Sequence, residues 1–235
     1  MRIRFSFARK MALSYISHLD MLRLFLRALS RSGLPLAYSK GYNPHPRFNL
    51  ALPLPLGVTA GEEYGEVFFT EEINPELFVK LLNMQLPKDL VISGASVADQ
   101  EAPALPSIVN AALYRAVPRS SAGTVVKAEL LQTALDRLMS EEQILLKRKT
   151  KKNKTTYTNV RPFILEATVG KFDNESLLNL LLQAGSQGGV SPVFVIEQLE
   201  PEPGCGRLHA YDWHIHRERL YFKNNGILQP FHERV

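Results

Sequence analysis

The 235-residue chain has a single cysteine, Cys205. One thiol cannot build an intrachain disulfide framework, and it falls short of the three or four thiolates an iron–sulfur cluster needs. No stretch approaches about 18 uninterrupted apolar residues, which excludes a membrane-spanning helix. The opening MRIRFSFARKM alternates basic and apolar residues and lacks a long apolar centre, so it does not read as a secretion signal. A phosphate-cradling GxxxxGKS/T loop, a dinucleotide-binding GxGxxG and a Ser-His-Asp triad are also missing. These absences set the expectation of a cytoplasmic protein without a membrane contact.

What is present fits a folded chain: 45% of residues are hydrophobic and 22% charged. The length suits one large domain or two of about 100 residues each. Lys and Arg outnumber Asp and Glu by 28 to 23, a net charge of +5. The distribution says more than the total. Lys147, Arg148, Lys149, Lys151, Lys152 and Lys154 fall within eight consecutive positions with no acid among them. Such a run favours an anionic partner, nucleic acid being the commonest; its plain alternative is a solvated hairpin tip.

Periodicity suggests that one order of elements occurs twice. Arg2–Arg9 alternates Arg2 and Arg4 with Ile3, Phe5 and Phe7, as a strand with one buried face does. A helix follows over His18–Ser32, with Ser17 as N-cap, Asp20 three residues on and Gly33 as C-cap. Leu34–Tyr38 and Phe48–Leu56 read as extended, Glu63–Thr70 as a strand, Pro75–Leu86 as a helix and Leu90–Ser96 as a strand. That order is the split βαβ of the ferredoxin-like fold. After a linker at Glu101–Pro106, the order is expected to recur. Its parts are a strand at Ala112–Val117, a helix at Val126–Met139, a hairpin over Gln143–Lys149 and Tyr157–Val169, a helix at Asn174–Ala184 and a strand at Pro192–Leu199. The expectation is an α+β chain of two tandem ferredoxin-like domains, residues 1–100 and 108–200. The second carries the basic hairpin 147–154, and residues 201–235 form a short C-terminal tail.

Chemistry-bearing residues concentrate in the first domain. Leu19, Leu22, Phe25, Leu26 and Leu29 share one face of the expected helix, and Arg23, Arg27 and Arg31 line the opposite one. Guanidinium groups at that spacing suit phosphate oxygens, or else form an ordinary charged face with Asp20 pairing locally. His18 sits at the first helical position, where the helix dipole favours neutral imidazole and attracts anions. There it would act as a base, a donor or a capping residue. The stretch Ser39–Arg47 carries Lys40, Tyr42, Asn43, His45 and Arg47 on a frame stiffened by Pro44 and Pro46 and turned by Gly41. A stiff loop presenting cations, donors and a ring suits recognition of a nucleotide or phosphate. His18 and His45 lack a third partner for a metal, and His209, His214 and His216 read as an aromatic surface patch near Tyr211 and Trp213.

The blocks SHLD, LPLAYS, GYNPHP and LPLG, with the later EEYGEVFF, together resemble the radical-SAM-linked protein family, most closely over residues 1–75. Beyond that the similarity rests on the basic hairpin and the NVRPFI stretch. The resemblance implies a radical S-adenosylmethionine protein as partner and a role in RNA modification or maturation. With one cysteine, this chain is expected to bind no cofactor itself, so radical chemistry would belong to the partner. A second likeness, at the level of the expected fold, is to ferredoxin-like RNA endonucleases of CRISPR systems, several of which use a helix-borne histidine without metal.

Three readings follow. The first is a non-catalytic RNA-binding or substrate-presenting accessory subunit, using Arg23, Arg27, Arg31, Lys40, Tyr42, Asn43, Arg47, Lys147, Arg148, Lys149, Lys151 and Lys152. The second is a metal-independent endoribonuclease with His18, or His45, as catalytic base or acid. The third is a protein-interaction adaptor that touches no nucleic acid.

Overall fold

The alternating segment RIRFSFAR folds as strand β1 (Arg2–Arg9) of a computed structural model that describes residues 1–119, 126–149, 153–173, 175–202, 204 and 206–231. Ile3, Phe5 and Phe7 face the core as their spacing predicts. The basic positions differ from expectation: Arg2 and Arg4 are buried as well, so β1 has two covered faces. Helix α1 (His18–Arg31) begins where Ser17 caps it, the Ser17 hydroxyl accepting from the Asp20 amide at 3.2 Å. Its buried stripe is Met21, Phe25, Ala28 and Leu29, whereas Leu19 is 61% exposed. Six residues before Phe25, Leu19 stands about 120° round the helix and leaves the core face.

Strands β2 (Phe48–Leu50) and β3 (Val58–Phe68) follow, then helix α2 (Pro75–Asn83), capped by Asn74 with Pro75 in its first turn, and strand β4 (Leu90–Ala98). Leu34–Tyr38 forms only single bridges, Leu36 to Phe69 and Tyr38 to Pro46. A short helix α3 (Leu105–Ile108) begins at the end of the expected linker. The later elements are β5 (Val109–Pro118), α4 (Ala128–Ser140), β6 (Leu145–Lys149), β7 (Thr155–Asn159), β8 (Ile164–Phe172), β9 (Glu175–Gln183), α5 (Pro192–Ile196), β10 (Trp213–Asn224) and β11 (Ile227–Pro230). The chain is therefore mixed α/β with mostly antiparallel strand pairing.

It divides into two compact units, Met1–Asn110 with Arg217–Val235, and Ala111–His216. In the first unit the strand order is β4-β1-β3-β10, with β2 paired to β3 and β11 to β10. The pairs β1–β3, β1–β4 and β2–β3 are antiparallel. Helices α1 and α2 cover one face through a phenylalanine cluster, in which Phe7 and Phe25 meet edge to face at 5.0 Å and Phe5 lies 5.5 Å from Phe78. Residues 201–235, read as a tail with one strand around Arg219–Lys223, contain that strand within β10 and add β11. Arg217, Leu220 and Phe231 are fully buried, and Phe231 packs on Tyr64 at 5.0 Å.

The second unit departs from the expected repeat. Its strand order is β5-β9-β8, with β6 and β7 forming a separate two-stranded ribbon. The segment read as a helix at Asn174–Ala184 is strand β9, and the segment read as a strand at Pro192–Leu199 contains helix α5. A short leucine run does not distinguish a helix from a buried strand. Here pairing with both β5 and β8 satisfies the backbone of β9, while Leu178, Leu180 and Leu182 alternate into the core. At the second segment, the Ser191 hydroxyl accepts from the Val193 amide at 3.3 Å and Pro192 opens the turn, a helix start the apolar content concealed.

Gly65 on β3 makes the phenylalanine cluster possible. A Cβ there would come within 2.4 Å of the Phe5 ring, and Phe5 cannot retreat because it is fully buried among Phe7, Phe25, Phe48 and Phe78. Gly65→Ala is therefore expected to destabilise the fold by about 1–3 kcal/mol, an overpacking cost. Equilibrium urea unfolding checks this; an unchanged midpoint would contradict the packing described.

Candidate nucleic-acid interface

Strand pairing decides which side of the first unit's sheet each predicted residue occupies. Residues opposite each other in register share a face. Ile3 pairs with Val67 on the side covered by α1 and α2, whereas Arg2 pairs with Phe68 and Arg4 with Glu66 on the other side. Asn49 of β2 also lies opposite Glu66.

Glu66 is the hub of that second face. It is completely buried and its carboxylate accepts from Arg2 Nε at 3.1 Å, from Arg2 Nη2 and from Asn49 Nδ2 at 3.0 Å. Arg4 Nε stands 3.8 Å away. Arg2 gives its remaining N–H groups to the carbonyls of Asp99, Ala102 and Pro103, and Arg4 Nη2 donates to Pro103 at 2.8 Å. The two basic residues of β1 thus fasten the segment after β4 across the sheet, which is why they are buried.

Beside this network the predicted loop enters the sheet. Its base is closed by Ser39 N donating to His45 O and by Arg47 N donating to Ala37 O, each at 2.8 Å. Arg47 then stands over the Phe68 ring, its guanidinium carbon 4.0 Å from the ring centroid. The His45 Nδ1 and the Ser39 hydroxyl are 3.0 Å apart. His45, Arg47, Asn49, Phe68 and Gln100 line a pocket of about 400 Å³ with Arg2 and Glu66 in its wall. Lys40, Tyr42 and Asn43 stay outside it; Tyr42 is 99% exposed.

The arginine row does not join the loop. Arg23, Arg27 and Arg31 lie on the outer side of α1, across the sheet from this pocket. Arg23 is paired with Asp20 at 3.0 Å, and Arg31 donates to the Gln85 carbonyl at 2.9 Å. The Ser17 hydroxyl and then Arg23 hold the Asp20 carboxyl below its ordinary pKa.

His18 and His45 are also separate. His18 lies near Arg9, at the opposite end of β1 from Arg2 and the His45 pocket, and seven residues of strand span about 23 Å. Arg9 is buried and donates to the carbonyls of Leu13, Ser14 and Ile16, fixing the approach to α1. Arg217 and Glu63 form a buried ion pair nearby, Nε to Oε1 at 2.6 Å. Desolvation first, then the charges of Arg217 and Arg9, push the His18 imidazole below its usual pKa.

In the second unit, the ribbon β6–β7 sets Lys147 opposite Tyr157 and Lys149 opposite Thr155, all exposed. Lys147, Arg148 and Lys149 form no ion pair among the described residues. Lys151 and Lys152 lie outside the described residues, as does Cys205. His209 stacks on Tyr211 at 5.2 Å. Among the described residues, no three of His, Cys, Asp and Glu gather into a metal-binding group, and no helix is long and apolar enough to cross a membrane.

Sequence reading missed Arg2, Asn49, Glu66, Phe68 and Gln100. The alternation of β1 marked Arg2 as facing away from the core. Its partner Glu66 is 64 residues distant, and no local pattern announces that pairing.

The His18 environment sets a pH dependence. With the folded pKa lowered, the unfolded chain binds the proton more readily, so stability is unaffected above the ordinary pKa of about 6.5 and falls as pH drops below it. The His18 ring resonances are expected to titrate with a midpoint below 6.5, and His18→Gln is expected to flatten the acid side of the stability profile. A midpoint at or above 6.5 by NMR would contradict the burial described.

No curated protein matches the chain. Residues 2–192 match the model of a family described as an uncharacterized protein conserved in bacteria (DUF2344). That match covers most of the sequence, and the chain belongs to this family.

Proposed function

We propose that this chain is a non-catalytic RNA-binding or substrate-presenting accessory subunit that works with a radical-SAM enzyme. The observation that carries the RNA part is the ribbon β6–β7. Lys147, Arg148 and Lys149 form no ion pair among the described residues, and Lys147 lies opposite Tyr157, which is 62% accessible, on a two-stranded arm with no acid in residues 145–159. A polar hairpin serving only as a connection needs neither an exposed ring nor cations of a single sign. Both suit a phosphate backbone with bases near enough to stack. The loop residues His45 and Arg47 supply a second contact region, on the first unit.

The partner reading rests on the sequence blocks SHLD, LPLAYS, GYNPHP and LPLG. One cysteine leaves cluster ligation, and hence radical generation, to that partner. The order β4-β1-β3, with β2 also paired to β3 and α1 and α2 between successive strands, supports reading the first unit as a split βαβ domain. The second unit's element order does not support the same reading.

Phosphate contacts release counterions, so affinity for a stem-loop RNA is expected to fall steeply between 50 and 200 mM salt. Replacing Lys147 and Lys149 together by Glu should lower the slope of log K against log salt by about 2 and weaken binding at least about tenfold at 100 mM. Fluorescence anisotropy measures both. A slope unchanged by the double substitution would remove the ribbon from the interface.

A second reading is metal-independent RNA cleavage: His18, at the start of α1 with Arg9 and Arg217 nearby and its pKa lowered by desolvation and their charges, is placed to take a 2′-hydroxyl proton. Incubating labelled RNA with the chain and a chelator decides it. Cleavage lost in His18→Ala supports the reading, and intact RNA refutes it.

A further inference from the structure

The pocket beside Phe68 contains several charges but little free charge, and that balance governs what it would hold. Arg2 is neutralised by Glu66, and its N–H groups are committed to Glu66 and to three carbonyls. Both Glu66 oxygens already accept, from Arg2 and from Asn49. The remaining cation is Arg47, whose guanidinium donates to nothing among the described residues. One free cation is too little for a polyphosphate, which recruits several.

The other groups have a different character. Phe68 backs the Arg47 guanidinium, and Arg47 is otherwise exposed. Asn49 gives one N–H to Glu66 and keeps its carbonyl oxygen, and Gln100 adds a second amide. Ser39 engages His45 at Nδ1, so Nε2 is the ring's remaining polar atom. A planar cation backed by a ring, with donor and acceptor edges around it in about 400 Å³, matches the faces and edges of a heteroaromatic base.

The geometry points to this pocket as the site for one unpaired nucleotide, its base stacked on Arg47 and its edge read by Asn49 and Gln100. This rests on the RNA-binding reading and refines it: the chain would take RNA with an unpaired base, and the pocket would hold that base apart from the backbone contacts of the ribbon.

The test uses the four nucleoside 5′-monophosphates and inorganic phosphate as probes, so it does not require the chain to bind RNA. Each is titrated into the full chain while the His45 ring and the Asn49 and Gln100 side-chain NMR signals are followed. Expected are saturable shifts with at least one nucleotide, at least about tenfold tighter than phosphate alone. Arg47→Lys keeps the charge and removes the plane, and it should weaken that nucleotide about tenfold, within the range of one lost stacking contact. Shifts reproduced by phosphate alone, no shift with any nucleotide, or an Arg47→Lys variant that binds like the wild type would each overturn the proposal. The ribbon double variant should bind mononucleotides normally. A chain that binds nucleotides but no RNA would keep the pocket and refute the RNA reading, and a chain that binds RNA but no nucleotide would do the reverse.

Discussion

Two buried carboxylates on β3 organise the first unit. Glu66 gathers Arg2, Arg4 and Asn49 on one face of the sheet, and Glu63 anchors Arg217 near the far end of β1. Each links segments remote in sequence: β1 with the stretch after β4 in one case, β3 with the returning C-terminal strand in the other. A buried ion pair of this kind contributes little net stability against a well-packed apolar replacement. Stripping one partner costs about 3–5 kcal/mol, because the other charge remains buried without compensation. The consequence is specificity of arrangement. Glu66 holds Arg2 and Asn49 where they wall the pocket, and the loop enters beside them with Arg47 on Phe68.

The two faces of this sheet differ in chemistry. The face under α1 and α2 carries the phenylalanines packed around Gly65 and, towards the far end of β1, the buried Glu63 opposite Phe7. The reverse face carries guanidinium, carboxylate and amide groups that must all be satisfied. Most are, by one another or by carbonyls of the segment 99–103. Among the described residues, Arg47, Asn49 and His45 keep spare donors or acceptors, and with Gln100 they line the open volume.

Legibility from sequence followed the range of the interactions involved. Ser17 and Pro75 announced helix starts because a helix start is set by residues within its first turn. The alternation of β1 gave the correct core face. The loop was recognisable because five polar or aromatic heads in eight residues exceed the needs of a turn. The pairing of Arg2 with Glu66 could not be seen, since two charges 64 residues apart leave no local trace. For the arginine row of α1, pairing with Asp20 three residues away was legible, whereas the bond of Arg31 to Gln85 and the sheet between the row and the loop were not. In the second unit the leucines of β9 carry helical propensity, and non-local pairing on both edges overrode it.

The central claim is that RNA meets this chain at the ribbon and at the Arg47 pocket, and not along α1. Ultraviolet crosslinking of a stem-loop RNA bearing an unpaired base, followed by mass spectrometry of the peptide adducts, tests it most directly. The account predicts adducts on peptides carrying His45–Phe48 and on those carrying Lys147–Tyr157. Adducts confined to Arg23–Arg31, or none above the level of a non-binding control protein, would contradict it.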